Sequence, residues 1–128
     1  MSDLRPIGEP IMIDGVERHL LFTLNVDDAL QEYFDCSLEE VIDMLADKRK
    51  STKAMKVILM ELLNDEVDRL NHAGEKHELK KYTEQETGWL VSQENITDAT
   101  IAILKAYGLS LPEADEFDSP NAESGQSE

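Results

Sequence analysis

Apolar and polar positions alternate with a period of two over residues 10–24, PIMIDGVERHLLFTL, and with a helical period over most of the chain that follows. Ile11 and Ile13 flank Met12, and an Asp14-Gly15 pair comes next. Val16, Arg18, Leu20, Phe22 and Leu24 then alternate with Glu17, His19, Leu21 and Thr23. A period of two sends successive side chains to opposite faces of a strand. Asp-Gly between two such runs predicts a type I′ turn, which needs φ > 0 at both central residues. With a two-residue loop, Ile13 stands opposite Val16 and Ile11 opposite Arg18. One face of this ribbon is mostly apolar, and a lone hairpin is marginal in water. It is therefore expected to pack on the helices that follow or on another molecule.

In NVDDALQEYFD, Val26, Leu30, Tyr33 and Phe34 share a helical face, with Asn25 as the expected N-cap. In SLEEVIDMLADKRK, Ser37 and Glu40 make a capping box, Leu38, Val41, Ile42 and Leu45 form the apolar stripe, and Lys48, Arg49 and Lys50 close the segment. The longest helix is predicted from about Ser51 to about His72, on the repeat of Met55, Ile58, Leu59, Leu62, Leu63, Val67 and Leu70. Gly74 is its stop. This helix is the expected central strut. AGEKHELKKY reads as a polar connector, and Thr83 and Glu86 form a second capping box for a short helix carrying Trp89, Leu90 and Val91. The last helix, NITDATIAILKAYG, is expected to turn Ile96, Thr100, Ile103, Leu104 and Tyr107 inward and to stop at Gly108. The predicted fold is mostly α (α+β), an N-terminal hairpin on a bundle of about five helices. Residues 1–9 are a flexible lead-in, residues 10–111 one domain, and residues 112–128 a disordered acidic tail with too little apolar surface to offset ordering.

Charge narrows the possible partners. The 128 residues hold 28 acids and 12 bases, a net −16. Six of the acids follow Leu111, where there is no Lys or Arg, so the rest of the chain carries −10, from 22 acids against 12 bases. A nucleic-acid surface needs clustered cations, so no nucleic-acid partner is expected, and no anionic membrane either. The single cysteine, Cys36, excludes an internal disulfide and suits a reducing compartment. The first thirty residues show no secretory signal, and no apolar run is long enough to span a bilayer.

Candidate chemistry is sparse. His72 and His77, with Glu75 and Glu78, match no standard zinc spacing and read as a polar connector. Cys36 with His19 is the one conceivable thiolate pair, but a cysteine beside Phe34 and Leu38 reads as a small core residue. Glu39, Glu40 and Asp43, and likewise Asp65, Glu66 and Asp68, read as solvated helix faces. The six glycines form no phosphate loop. No catalytic group, metal or cofactor is assigned, and the chain does not read as an enzyme. The candidates that remain are for protein contact: Ile11, Met12 and Ile13 on the hairpin, whose edge can add strands, and Trp89 and Leu90 on the short helix. Trp89 is expected as a core anchor, with a binding hot spot as the alternative.

The stretch IMIDGVERHLLFTLNVDDALQEYFDCSLEEVIDML resembles the opening of tail assembly chaperones of long-tailed bacteriophages and prophages, which begin with an I-x-I-D-G-x-x-x-x-L-x-F-x-L-N hairpin. An amphipathic helix ending in an aromatic, a small turn and a second short helix follow in that family. The matching positions are Ile11, Ile13, Asp14, Gly15, Leu20, Phe22, Leu24, Asn25, Tyr33, Phe34, Ser37 and Leu38. Family members often carry Gly where this chain has Asp35-Cys36. The second half matches in outline through Thr83, Glu86 and the closing LSLPEA, so that the resemblance covers about residues 10–113. It implies a non-enzymatic, homo-oligomeric protein of the bacterial host cytoplasm. Such a protein binds the tape measure protein, keeps it soluble and helps recruit tail tube subunits. The strong negative charge suits a soluble chaperone on its own account. A reading from another class is an acidic nucleic-acid mimic that blocks a host DNA-binding enzyme; it explains the charge but not the hairpin pattern.

Overall fold

Asp14 and Gly15 adopt φ of 54° and 78°, the left-handed pair that a type I′ turn needs. They join β1 (Glu9–Ile13) to β2 (Val16–Leu20), paired antiparallel with Ile13 opposite Val16 and Ile11 opposite Arg18. The computed structural model describes residues 8–111. After the hairpin come α1 (Leu24–Phe34), α2 (Leu38–Asp43) with a 3-10 turn at Met44–Ala46, α3 (Ser51–His72), α4 (Glu84–Leu90) and α5 (Ile96–Ser110). The architecture is a small, mostly helical domain of five helices with the antiparallel hairpin packed against it. Glu9 already belongs to β1; the rest of the expected lead-in before Gly8, and the acidic tail 112–128, lie outside the described residues.

Several boundaries differ from expectation, each for a local reason. The second strand ends at Leu20 instead of running to Leu24, because Thr23, not Asn25, caps α1: its side chain accepts from the Val26 N–H. Leu24 therefore enters the first helical turn and is 84% exposed. The segment after Ser37 stops being α-helical at Asp43. Lys48, Arg49 and Lys50 lie in the turn before α3, where Asp47 accepts from the Arg49 N–H. Asp35 ends α1 in the left-handed region at φ 56°, its N–H donating to the Gln31 carbonyl. Glycine reaches that conformation more easily.

The core is built around α3, whose Ala54, Met55, Val57, Ile58, Leu59, Leu62, Leu63 and Val67 are buried. Ile13, Leu20 and Phe22 from the hairpin side, Val26 and Leu30 from α1, and Val41 and Ile42 from α2 close over it. α5 contributes Ala99, Ala102, Ile103 and Ala106. That face is rotated from the expected one: Ile103 is buried and Ile96 and Tyr107 are partly so, but Leu104 is 45% exposed. Three alanines let α5 come close, and the helix runs through Gly108 to Ser110 instead of stopping there.

Both predicted capping boxes are present. Ser37 accepts from the Glu40 N–H and Thr83 from the Glu86 N–H, both at 3.1 Å, and each glutamate accepts from its cap's N–H in return. The two bonds from Ser37 hold the Glu40 carboxyl below its ordinary pKa. Thr83 has a second task, since its carbonyl accepts from Thr87 Oγ1 at 2.8 Å. Thr83→Ala should lower stability by about 1 kcal/mol, measured by urea unfolding with an unchanged m-value.

Candidate interaction surfaces

The hairpin is fixed to α3 by charge as well as by apolar contact. Arg18, on the otherwise apolar face, is 1% exposed. Its Nε donates to Glu66 Oε1 at 2.7 Å and its Nη2 to the Leu63 carbonyl at 2.8 Å. The Tyr82 ring lies 6.0 Å from the guanidinium carbon. Glu66 Oε1 also accepts the His19 N–H at 3.2 Å, and Oε2 meets His19 Nδ1 at 3.2 Å. One turn-position earlier, Asp65 Oδ2 accepts from Thr23 Oγ1 at 3.1 Å and from Arg69 Nε at 3.0 Å.

Asp65 and Glu66 are thus buried, not a solvated face as expected; only Asp68, paired with Lys81, stays at the surface. The physical reason is that the hairpin lies across this side of α3 and brings Arg18 and Thr23 as partners. Arg18 on a buried strand face needs an acid within reach, and that signal was present in the alternating pattern. Glu61, nearby on α3, has its carboxyl pushed up by burial and then by the Asp65 charge. Burial also raises Asp27, whose Oδ1 has no hydrogen-bond partner among the described residues.

The same geometry limits what the hairpin edges can do. Ile13 and Val16 flank the two-residue turn as a hydrogen-bonded pair, so Glu9, Ile11 and Ile13 turn their backbone groups toward β2. Pro10 and Met12 face outward on β1, and Pro10 has no N–H. Met12 is therefore the one outward donor between Glu9 and Ile13. On β2 the outward N–H of His19 is already used by Glu66. A proline on an edge strand disfavours strand addition.

Of the five contact candidates, Ile13 is a core residue at 5% exposure, and Ile11 and Leu90 are partly buried against the core. Met12 and Trp89 are the exposed ones, at 63% and 73%. Trp89 is not a core anchor, and the reason lies in the docking of α4. Thr87 is buried and turned toward α3, and Gly88 lies against the Lys56 side chain, whose Cδ a Cβ there would meet at 3.0 Å. Trp89 follows Thr87 by two residues, about 200° around a helix of 3.6 residues per turn, and so points away from α3. Ion pairs of Glu84 with Lys53 and Lys56 hold the start of α4, keeping the Glu84 carboxyl low and raising Lys53.

Met12 lines an open groove of about 350 Å³ between β1 and α5, together with Asp98, Ile101 and Lys105. Cys36 lies at the α1–α2 turn, where burial and then the charges of Glu40 and Asp35 push its thiol up, away from a nucleophilic thiolate. The second ring nitrogen of His19 meets Glu17 at 3.1 Å, so its partners are carboxylates. His77 Nε2 meets Asn71 Oδ1 at 2.7 Å. Among the described residues there is no group of three or more His, Cys, Asp or Glu placed to hold a metal ion, and no helix is long and apolar enough to cross a membrane. Comparisons with protein-family models, with curated proteins and with solved structures give no match.

Proposed function

We propose that this chain is a tail assembly chaperone of a long-tailed phage or prophage. In this reading it works in the cytoplasm of the bacterial host, where it binds the tape measure protein, keeps that long apolar protein soluble and helps recruit tail tube subunits. The observation that carries the reading is the Ile11–Leu38 stretch and the order of elements around it. The turn at Asp14-Gly15, the aromatic end of α1 at Tyr33-Phe34 and the Ser37 cap support the reading.

Two physical features favour it. The chaperone task needs a solvated, strongly charged body that still offers apolar side chains to a client. Trp89 and Met12 are large apolar side chains exposed on a chain of net charge −16. Trp is also the residue type most enriched among energetic anchors of protein interfaces. The role requires no catalytic group.

Co-expression with the tape measure protein of the same genome tests the proposal. The tape measure protein should stay in the soluble fraction and co-purify with this chain, and should precipitate when expressed alone. A tape measure protein equally soluble without this chain, together with capture of a host nuclease or polymerase, would instead support the acidic mimic.

A further inference from the structure

α5 is apolar on two opposite sides. Ala99, Ala102, Ile103 and Ala106 face the core. On the other side Thr97, Ile101, Leu104 and Gly108 are exposed, with Ile101 at 46% and Leu104 at 45%. Their spacing of four, three and four residues is that of a coiled-coil seam. The core of the chain does not account for this second stripe.

Charge indicates what covers it. The fifteen residues of α5 include one acid, Asp98, and one base, Lys105. In a chain carrying 28 acids, a helix with one acid and one base adds no net charge of its own to a contact between two copies. Asp98 and Lys105 are seven residues apart and flank the same edge of the stripe. Turning a second α5 antiparallel, with the two-fold axis between Ile101 and Leu104, brings each acid toward the other copy's base. The same axis sets Ile101 against Leu104 and Thr97 against Gly108, so a small residue faces a small one and the helices can come close. Such a contact is isologous and self-closing.

We propose that α5 is the contact between two copies of this chain, paired antiparallel through Ile101 and Leu104 and flanked by reciprocal Asp98–Lys105 pairs. The contact is independent of the tape measure reading. One helix pair is a small interface, so the dimer is expected to be concentration-dependent.

Sedimentation of the full-length chain over a concentration series is the test. The mass should rise from 14.5 kDa toward twice that value. Leu104→Glu should hold it at the monomer with an unchanged melting temperature. Lys105→Asp alone, or Asp98→Lys alone, should weaken association by about tenfold, and the Asp98→Lys, Lys105→Asp double variant should recover it. The charge variants decide the matter should Leu104→Glu fail to fold. A wild-type chain that stays monomeric throughout, association that survives Leu104→Glu, or a double swap without recovery would overturn the proposal. A monomeric chain whose Leu104→Glu variant loses tape measure binding would also overturn it, and would give this face to the client.

Discussion

Glu66→Ala is expected to lower stability by about 3–5 kcal/mol, the range for breaking a buried ion pair by removing one partner. The change leaves the Arg18 guanidinium, 1% exposed, with only the Leu63 carbonyl to accept from it. It also strips the His19 N–H of its acceptor on the β2 edge. A loss of this size is a large share of the 5–15 kcal/mol that a typical domain has, and it should release the hairpin from α3. An Arg18→Met, Glu66→Leu double variant should behave differently. It removes both charges together, and buried pairs replaced by apolar residues are often neutral. It should regain most of the loss, short by about 1–3 kcal/mol for the His19 N–H left unsatisfied. Urea unfolding of the single and double variants measures both numbers. A Glu66→Ala protein as stable as the parent would mean that the Arg18–Glu66 bond does not hold the hairpin.

Trp89→Ala is expected to leave the unfolding free energy within about 0.5 kcal/mol of the parent, as for other surface changes. In the proposed chaperone role, binding to the tape measure protein should weaken by about 2 kcal/mol or more, roughly thirtyfold, if Trp89 anchors the client. Had this residue been a core anchor, the same truncation would remove about 3–5 kcal/mol of stability. The exposure of 73% separates these outcomes, and the two measurements together check it. A destabilised variant would place the indole in the core. A stable variant with full client affinity would remove Trp89 from the contact.

The hairpin and α3 were legible in the sequence because each rests on local rules that nothing in the tertiary structure opposes. Asp14-Gly15 sets the turn and hence the register, and the Met55 to Leu70 stripe ends where Gly74 takes φ 76°. The two capping boxes were legible for the same reason. What escaped the sequence depended on how elements meet. Asp65 and Glu66 resemble any solvated pair on a helix until a strand supplies Arg18. Three alanines on α5 outweigh the larger Leu104 because closeness, not side-chain size, decides which face packs. Trp89 was misplaced because apolarity suggested burial, whereas Thr87 and Gly88 set the phase of a seven-residue helix and leave the indole outside. Of the contact candidates, Ile13 and Leu90 went the other way for the same reason: burial follows helix and strand phase.

Fluorescence of the single tryptophan tests most directly the claim that this fold presents Trp89 to a client. In the free full-length chain its emission should be that of a water-exposed indole and should be quenched readily by acrylamide. On titration with a soluble segment of the tape measure protein from the same genome, emission should move to shorter wavelength and quenching should fall, both saturating together. A blue-shifted, protected indole in the free chain, or complete client binding with no change in emission, would contradict the account.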